Sequence, residues 1–300
     1  MKTYFDCIQC FVRQALDAVR FLTDDESIHE HVLRKILSEA SEMEFYQSPP
    51  VTGQKIHRMI RELLGDDDPY RDVKDRSNRI AMQLYPELKA KIEQSSNPLE
   101  LAVRLAIAGN IIDFGVNSLI DESLIYETLD RSVKEPIVPN SIDDFRNAVE
   151  QANDILYLGD NAGEIVFDRL LIEQLPHEKV TFVVRGNPVI NDITLIDAEC
   201  TGMTDLVNVI DNGSDAPGTI LGDCSPEFLD RFDKSDLIIA KGQGNYESLS
   251  DSNKNILYVL MAKCPIIAHD IDCNVGSFIL KTSFQELTAK ANNRNHVKTM

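Results

Sequence analysis

Two rhythms of apolar and polar residues divide the chain. Up to about residue 135 apolar positions recur every three or four residues. Phe11, Ala15, Val19 and Leu22 form one stripe, and Leu33, Ile36, Leu37 and Ala40 form a second after the acidic start Asp24-Asp25-Glu26. Ile56, Met59, Ile60, Leu63 and Leu64 form a third, entered at Thr52 and closed by Gly65. This is helical spacing with helical punctuation. Asn97-Pro98-Leu99-Glu100 supplies a cap and a first-turn proline for a helix along the apolar run Leu101 to Ile112. Leu119 to Leu129 predicts another, and no strand pattern is visible in this stretch. Pro136 and Pro139 then break the helices, and Ser141-Ile142-Asp143-Asp144 starts a new one.

From Asp154 onward the period changes. Short apolar runs at Ile155–Leu158, Val180–Val184, Leu206–Ile210, Leu237–Ala240, Ile266–Ala268 and Phe278–Leu280 read as strands. Glu164–Leu175, Asn191–Glu199, Pro226–Phe232 and Asn253–Met261 read as crossover helices between them. Alternation of this kind predicts a mainly parallel sheet covered on both faces. The expected architecture is α/β: an all-helical N-terminal domain over residues 1–140, then a three-layer α/β/α, Rossmann-like catalytic domain over residues 141–300.

Composition narrows the function classes. At 300 residues, 43% hydrophobic and 26% charged, the chain is ordinary globular material. Its net charge of −19 is spread through both halves, so it would repel nucleic acid and anionic membranes. The N-terminal helix carries Asp6, Arg13 and Asp17 within its apolar pattern, unlike a signal peptide. No uncharged stretch approaches the roughly 18 residues of a membrane span. Six scattered cysteines without a signal point to free thiols and a cytoplasmic location.

In an open parallel sheet, ligands bind beyond the carboxyl ends of the strands. The runs are followed there by Gly159-Asp160-Asn161-Ala162-Gly163-Glu164, by Arg185-Gly186-Asn187-Pro188-Val189-Ile190-Asn191-Asp192, by Asp211-Asn212-Gly213-Ser214-Asp215, by Lys241-Gly242-Gln243-Gly244-Asn245-Tyr246-Glu247 and by His269-Asp270. Turn chemistry alone accounts for any one of these loops. Their convergence on one sheet edge, with a lysine among them, points to a site. Asp160, Asn161 and Asp192 offer hard oxygen ligands suited to magnesium or manganese. A cation so held polarises a phosphoryl oxygen and acidifies water. Glycines at 159, 163, 242 and 244 let backbone N–H groups approach phosphate oxygens. Lys241 or Lys263 would neutralise phosphate charge, and Asn187, at a strand end between Gly186 and Pro188, is placed for a phosphate contact. Arg185 would bind a phosphate oxygen or pair with a neighbouring acid. Glu164, favoured at a helix start by the dipole alone, and Asn191 stand beside the ligands and are expected to support them. Cys7 and Cys10 share a helix face but cannot complete a four-ligand zinc site alone.

At these residues the chain resembles the metal-dependent damage-control phosphatases, long grouped as domain-of-unknown-function family 89, and specifically their short archaeal and bacterial branch. The matching stretches are Gly159 to Glu164, Arg185 to Asp192, Lys241 to Glu247, Lys263-Cys264-Pro265 and Cys7-Ile8-Gln9-Cys10. The resemblance implies a helical part followed by a three-layer α/β part. It also implies a phosphatase of small phosphorylated metabolites that uses manganese, nickel, cobalt or magnesium. Asp160, Asn161 and Asp192 then match the metal ligands, with Asp160 and Asp192 as catalytic positions. Lys241, Gly242, Gln243, Gly244 and Asn245 match the substrate-phosphate loop, and Lys263 matches a substrate-contacting lysine. Longer eukaryotic members carry Arg-Thr-x-Lys where this chain has Leu260-Met261-Ala262-Lys263, so their sugar-phosphate specificity does not transfer directly. Damaged nucleotides and purine intermediates join sugar phosphates as expected substrates. Two rivals stand beside this reading. One is an S-adenosylmethionine-dependent methyltransferase, which would want a glycine-rich cofactor loop after the first strand. The other is a non-catalytic metabolite-binding regulator on the same sheet.

Overall fold

A computed structural model describes residues 1–109 and 135–283. The expected helix at Leu119–Leu129 and the end of the run Leu101–Ile112 lie outside the described residues. Among the described residues five helices come first: α1 (Phe5–Leu22), α2 (Glu26–Ser41), α3 (Pro49–Leu64), α4 (Arg71–Gln94) and α5 (Pro98–Gly109). Local chemistry sets their ends. The Asp25 side chain accepts the Ser27 N–H at the start of α2, prolines open α3, and Gly65 closes it in the left-handed region at φ 63°. After them come β1 (Ile137–Pro139), α6 (Ile142–Gln151), β2 (Ile155–Leu158), α7 (Glu164–Ile172), β3 (Val180–Val184), α8 (Leu195–Cys200) and β4 (Asn208–Asp211). The chain continues through α9 (Pro226–Lys234), β5 (Leu237–Lys241), α10 (Gly242–Leu249), β6 (Ile256–Met261), α11 (Pro265–Ile271) and β7 (Phe278–Thr282).

The seven strands form one sheet in the order β1-β7-β6-β5-β2-β3-β4. β6, β5, β2, β3 and β4 are mutually parallel, whereas β7 runs antiparallel to β6 and pairs in parallel with β1. Although the strands are almost wholly apolar, their side chains alternate between two cores. Ile155, Tyr157, Leu237 and Ile239 join Phe167 and Leu170 of α7 on one face. Leu156, Leu158, Ile238 and Ala240 join Phe228 of α9 and Ile267 of α11 on the other. This two-sided burial is why the strands read as continuous runs.

The boundary read at residue 140 marks a change of rhythm but not of core. α1–α3 close around Phe11, Val19, Val32, Ile36, Ile56 and Ile60. In α4 and α5, Ala81, Leu84, Leu88, Val103 and Ala106 belong to the apolar layer on the sheet. β1, which lies ahead of that boundary, is part of the sheet. α3 is tied to the loop after β4, because Gln54, Arg58 and Arg61 all donate to Asp215.

Four elements differ from the sequence reading, counting β1, which that reading leaves out. Asn253–Met261 was expected as a helix but holds strand β6, and Ile266–Ala268, expected as a strand, lies in helix α11. A six-residue apolar run buried on both faces has no period that separates strand from helix. Strand β6 is decided by its two partners, β5 and β7. Pro265 at the first turn begins α11. The residues beyond the fifth parallel strand are therefore Ala262-Lys263-Cys264, and His269-Asp270 sits on α11, where Asp270 accepts the Tyr246 hydroxyl at 2.6 Å. The fourth strand begins at Asn208 rather than Leu206. No described helix is long and apolar enough to cross a membrane.

Phe182 is fully buried and stacks on Tyr157 at 5.4 Å between ring centroids. Phe182→Ala is expected to cost about 3–5 kcal/mol, read from urea unfolding midpoints. A cost under about 1 kcal/mol would contradict this packing.

Candidate active site at the sheet switch point

The strand order reverses between β2 and β5. β3 and β4 lie to one side of this pair and β6 to the other, so the loops after β2 and β5 part and leave a crevice. The loop after β2 carries Asp160 and Asn161. It can turn this tightly because Gly159 has no Cβ; one would fall 2.4 Å from Ile193 Cδ1. The segment after β3 returns beside it. The Ala162 N–H donates to the Asn191 carbonyl at 2.8 Å, the Ile193 N–H donates to the Asp160 carbonyl at 3.0 Å, and Asn161 and Asp192 form an isolated antiparallel bridge. Backbone pairing thus sets Asp160, Asn161 and Asp192 side by side. All three line a cavity of about 790 Å³, together with Asn191, Gln243, Gly244 and Lys263.

Charge in this region is buried and uneven. Arg185, 1% exposed, donates from Nε to Asp192 Oδ2 at 2.7 Å and holds Nη2 3.6 Å from Asp160 Oδ1. Of the two roles open to it in the sequence, Arg185 takes the pairing one. Burial, with Glu164 and Asp192 adding their charge, pushes the Asp160 carboxyl up to about 8 against the pull of Arg185 and Lys263. Burial also raises Asp192, with Arg185 opposing. Asn161 donates to Asp160 Oδ2 at 3.0 Å and to Glu164 Oε2 at 3.4 Å.

Lys241 does not face the cavity. It is fully buried beneath it, with Nζ donating to Glu164 Oε1 at 2.6 Å, to Asp168 Oδ1 and to the Ala106 carbonyl at 2.9 Å. Burial works against its charge, yet Asp168 and Glu164 together hold it above the ordinary lysine range. Burial raises Asp168 to about 6 although Lys241 opposes it, and the Tyr157 hydroxyl donates to the same oxygen at 2.8 Å. An ammonium with three partners has no donor left for a phosphate.

The other expected phosphate contacts divide in the same way. Gly242, at φ 75°, serves Asp160, since a Cβ there would stand 1.9 Å from Asp160 Oδ2. Asn245 is buried and ties the turn together. It accepts from Thr219 Oγ1 at 2.8 Å and donates to the Lys241 carbonyl at 2.8 Å and the Gly159 carbonyl at 3.3 Å. Asn187 is exposed and outside the cavity lining, with its N–H on the Ser214 carbonyl at 3.2 Å. Gln243 does reach the cavity, where it donates to Glu247 Oε1 at 2.8 Å and accepts the Lys263 N–H at 3.4 Å. Lys263 lines the same cavity.

Sequence reasoning passed over three participants. Asp168 lies one turn beyond Glu164 in a helix that is apolar apart from these two and Arg169, a pattern that signals a buried partner. Glu247 lines the cavity and is pushed up to about 7 by burial. Cys264 joins Cys7 and Cys10 in the cavity wall; burial raises both α1 thiols. Among the described residues no three His, Cys, Asp or Glu side chains form a ready-made metal cage. The donors that do meet are two carboxylates and an amide, a hard oxygen set with excess negative charge, and such a set fits a divalent cation.

Lys241→Met would leave Glu164 and Asp168 buried without their cation. The expected cost is about 3–5 kcal/mol in urea unfolding, and a loss below about 1 kcal/mol would contradict the buried triad.

The Damage-control phosphatase ARMT1-like domain model matches residues 3–279. A damage-control phosphatase of Archaeoglobus fulgidus is 36% identical over 283 residues, covering 92% of this chain and 97% of that one. A damage-control phosphatase of Pyrococcus horikoshii is 33% identical over 286 residues, covering 93% and 97%. The crystal structure of a DUF89 family protein from Pyrococcus horikoshii superposes with a TM-score of 0.86 at 32% identity, covering 94% of this chain and 99% of that one. With likeness in sequence and fold running almost end to end, the chain belongs to the ARMT1-like damage-control phosphatase family.

Proposed function

We propose that this protein is a metal-dependent phosphatase of small phosphorylated metabolites. Damaged nucleotides, purine intermediates and sugar phosphates are its candidate substrates. One observation carries the reading: Asp160, Asn161 and Asp192 are zipped together by backbone pairing at the switch point, on the wall of a cavity that also holds Lys263. These three side chains would hold a manganese, nickel, cobalt or magnesium ion. The chemistry such an ion contributes is polarisation of a phosphoryl oxygen and acidification of water.

The protein's own groups do the rest. Arg185 keeps both carboxylates aimed at the cavity by pairing with them from behind. Lys263 offsets phosphate charge at the cavity wall. Gln243 and Gly244, in the first turn of α10, bring backbone N–H groups with no helical partner to the same wall. Lys241 acts one layer below, fixing Glu164 against the Asp160-Asn161 loop. A cavity of about 790 Å³ far exceeds a phosphate group and leaves room for the organic part of a metabolite.

A phosphate-release screen over nucleotides and sugar phosphates with each of the four metals tests the reading. Release is expected with at least one metal and should vanish with excess chelator. Turnover that survives the chelator overturns the metal role, and ligand binding without release under every metal favours a regulator. Asp160→Asn and Asp192→Asn should each lower kcat roughly 100-fold or more. Asp160→Asn should leave Tm unchanged or higher, because burial already disfavours that charge. Asp192→Asn should lower Tm, because buried Arg185 loses its nearest carboxylate. Full activity in either variant would contradict the proposed ligand set.

A further inference from the structure

Helix α4 lies outside the cavity lining, yet one of its faces grips both loops that carry the proposed ligands. Arg71, Lys74 and Asn78 follow at helical spacing, and Lys74 and Asn78 are buried. Asn78, 3% exposed, uses both ends of its amide. Its Oδ1 accepts the Gly163 N–H at 2.7 Å, and its Nδ2 donates to Asp197 Oδ1 at 2.9 Å. Gly163 stands between Asn161 and Glu164 at φ 78°, where the chain turns into α7. Asp197 accepts the Thr194 N–H and hydroxyl, both at 2.8 Å, and so holds the backbone two residues beyond Asp192. Arg71 donates to Asp197 Oδ1 at 2.6 Å, which fixes the far anchor. One side chain thus spans the 160–164 loop and the 192–197 segment. An amide suits this place because one anchor is a donor and the other an acceptor.

Resting on the reading of Asp160, Asn161 and Asp192 as metal-holding residues, we infer that Asn78 is a positioning residue for that set. It acts through Gly163 and Asp197 to hold the two loops at ligating separation. The helical segment then contributes to the chemistry by bracing the ligands from behind. Without the brace the buried Gly163 N–H loses its acceptor, and the loops keep only their backbone pairing and the reach of Arg185 to Asp160 and Asp192.

The test compares the full-length protein with its Asn78→Ala variant. Mn²⁺ affinity is measured by calorimetry without substrate, kcat and KM at saturating Mn²⁺, and Tm without metal. The expected result is a loss of about 10-fold or more in both Mn²⁺ affinity and kcat. KM at saturating metal should stay within about threefold, since Asn78 touches no part of the cavity. A lowered Tm with unchanged Mn²⁺ affinity and kcat shows a merely structural role and overturns the inference, as do values within about twofold of wild type throughout. Should Asn78→Ala fail to fold, Asn78→Asp reads the same quantities. It keeps the acceptor for Gly163 but replaces the donor to Asp197 and Cys200 Sγ by a second carboxyl facing Asp197, so the Asp197 anchor is lost and the same losses are expected. If the unmodified protein neither binds Mn²⁺ nor releases phosphate, the proposed function fails and this inference falls with it. If only the variants behave like wild type, this inference fails alone.

Discussion

Asp160, Glu164, Asp168 and Asp192 are all buried where β2 and β5 part, and the surrounding structure is arranged around that charge. Water would stabilise four carboxylates far better than a protein interior does, so each must find a partner or give up its charge. Two cations sit among them. Lys241 serves Glu164 and Asp168 in the layer beneath the sheet end, while Arg185 reaches Asp192 and Asp160 at the cavity wall. Glu164 and Asp168 lie outside the cavity lining whereas Asp160 and Asp192 are part of it, which is why the proposed chemistry is placed with Asp160 and Asp192.

The apolar sheet makes this arrangement affordable. Its strands alternate their burial between two cores, and the reversal between β2 and β5 lets their following loops separate. Helices from the first part of the chain complete the surroundings in two ways. α4 and α5 share the sheet's core and touch the site from behind, through Asn78 on Gly163 and the Ala106 carbonyl on Lys241. α1 also borders the cavity, with Cys7 and Cys10 in its wall.

Much of this was legible. β2, β3 and β5 stand where the apolar runs are, so the residues just after them could be recognised as site candidates before any coordinates. Asp160, Asn161 and Asp192 do meet. Lys241 was misjudged because a residue at a strand end can point along either face of the sheet. Its parity with Leu237 and Ile239 sends it into the layer with α7, toward Glu164 and Asp168. Asn245 looked like a ligand for phosphate and is instead spent on backbone carbonyls. β6 and α11 exchanged places in the reading because a run buried on both sides carries no period. β1 was missed because three residues, preceded by Pro136 and ending in Pro139, give no pattern at all.

The sequence by itself determined the helical first part, the strand and helix alternation after it, and the oxygen-bearing loops at the strand ends, because periodicity and turn chemistry act over a few residues. Only the tertiary structure decided which of the buried charges meet. Arg185 finds both aspartates, Lys241 turns away from the cavity, and Asn78 reaches Gly163 across more than eighty positions of chain. Those pairings depend on strand order and on the face each side chain takes, and they arise from packing between elements that local sequence does not encode.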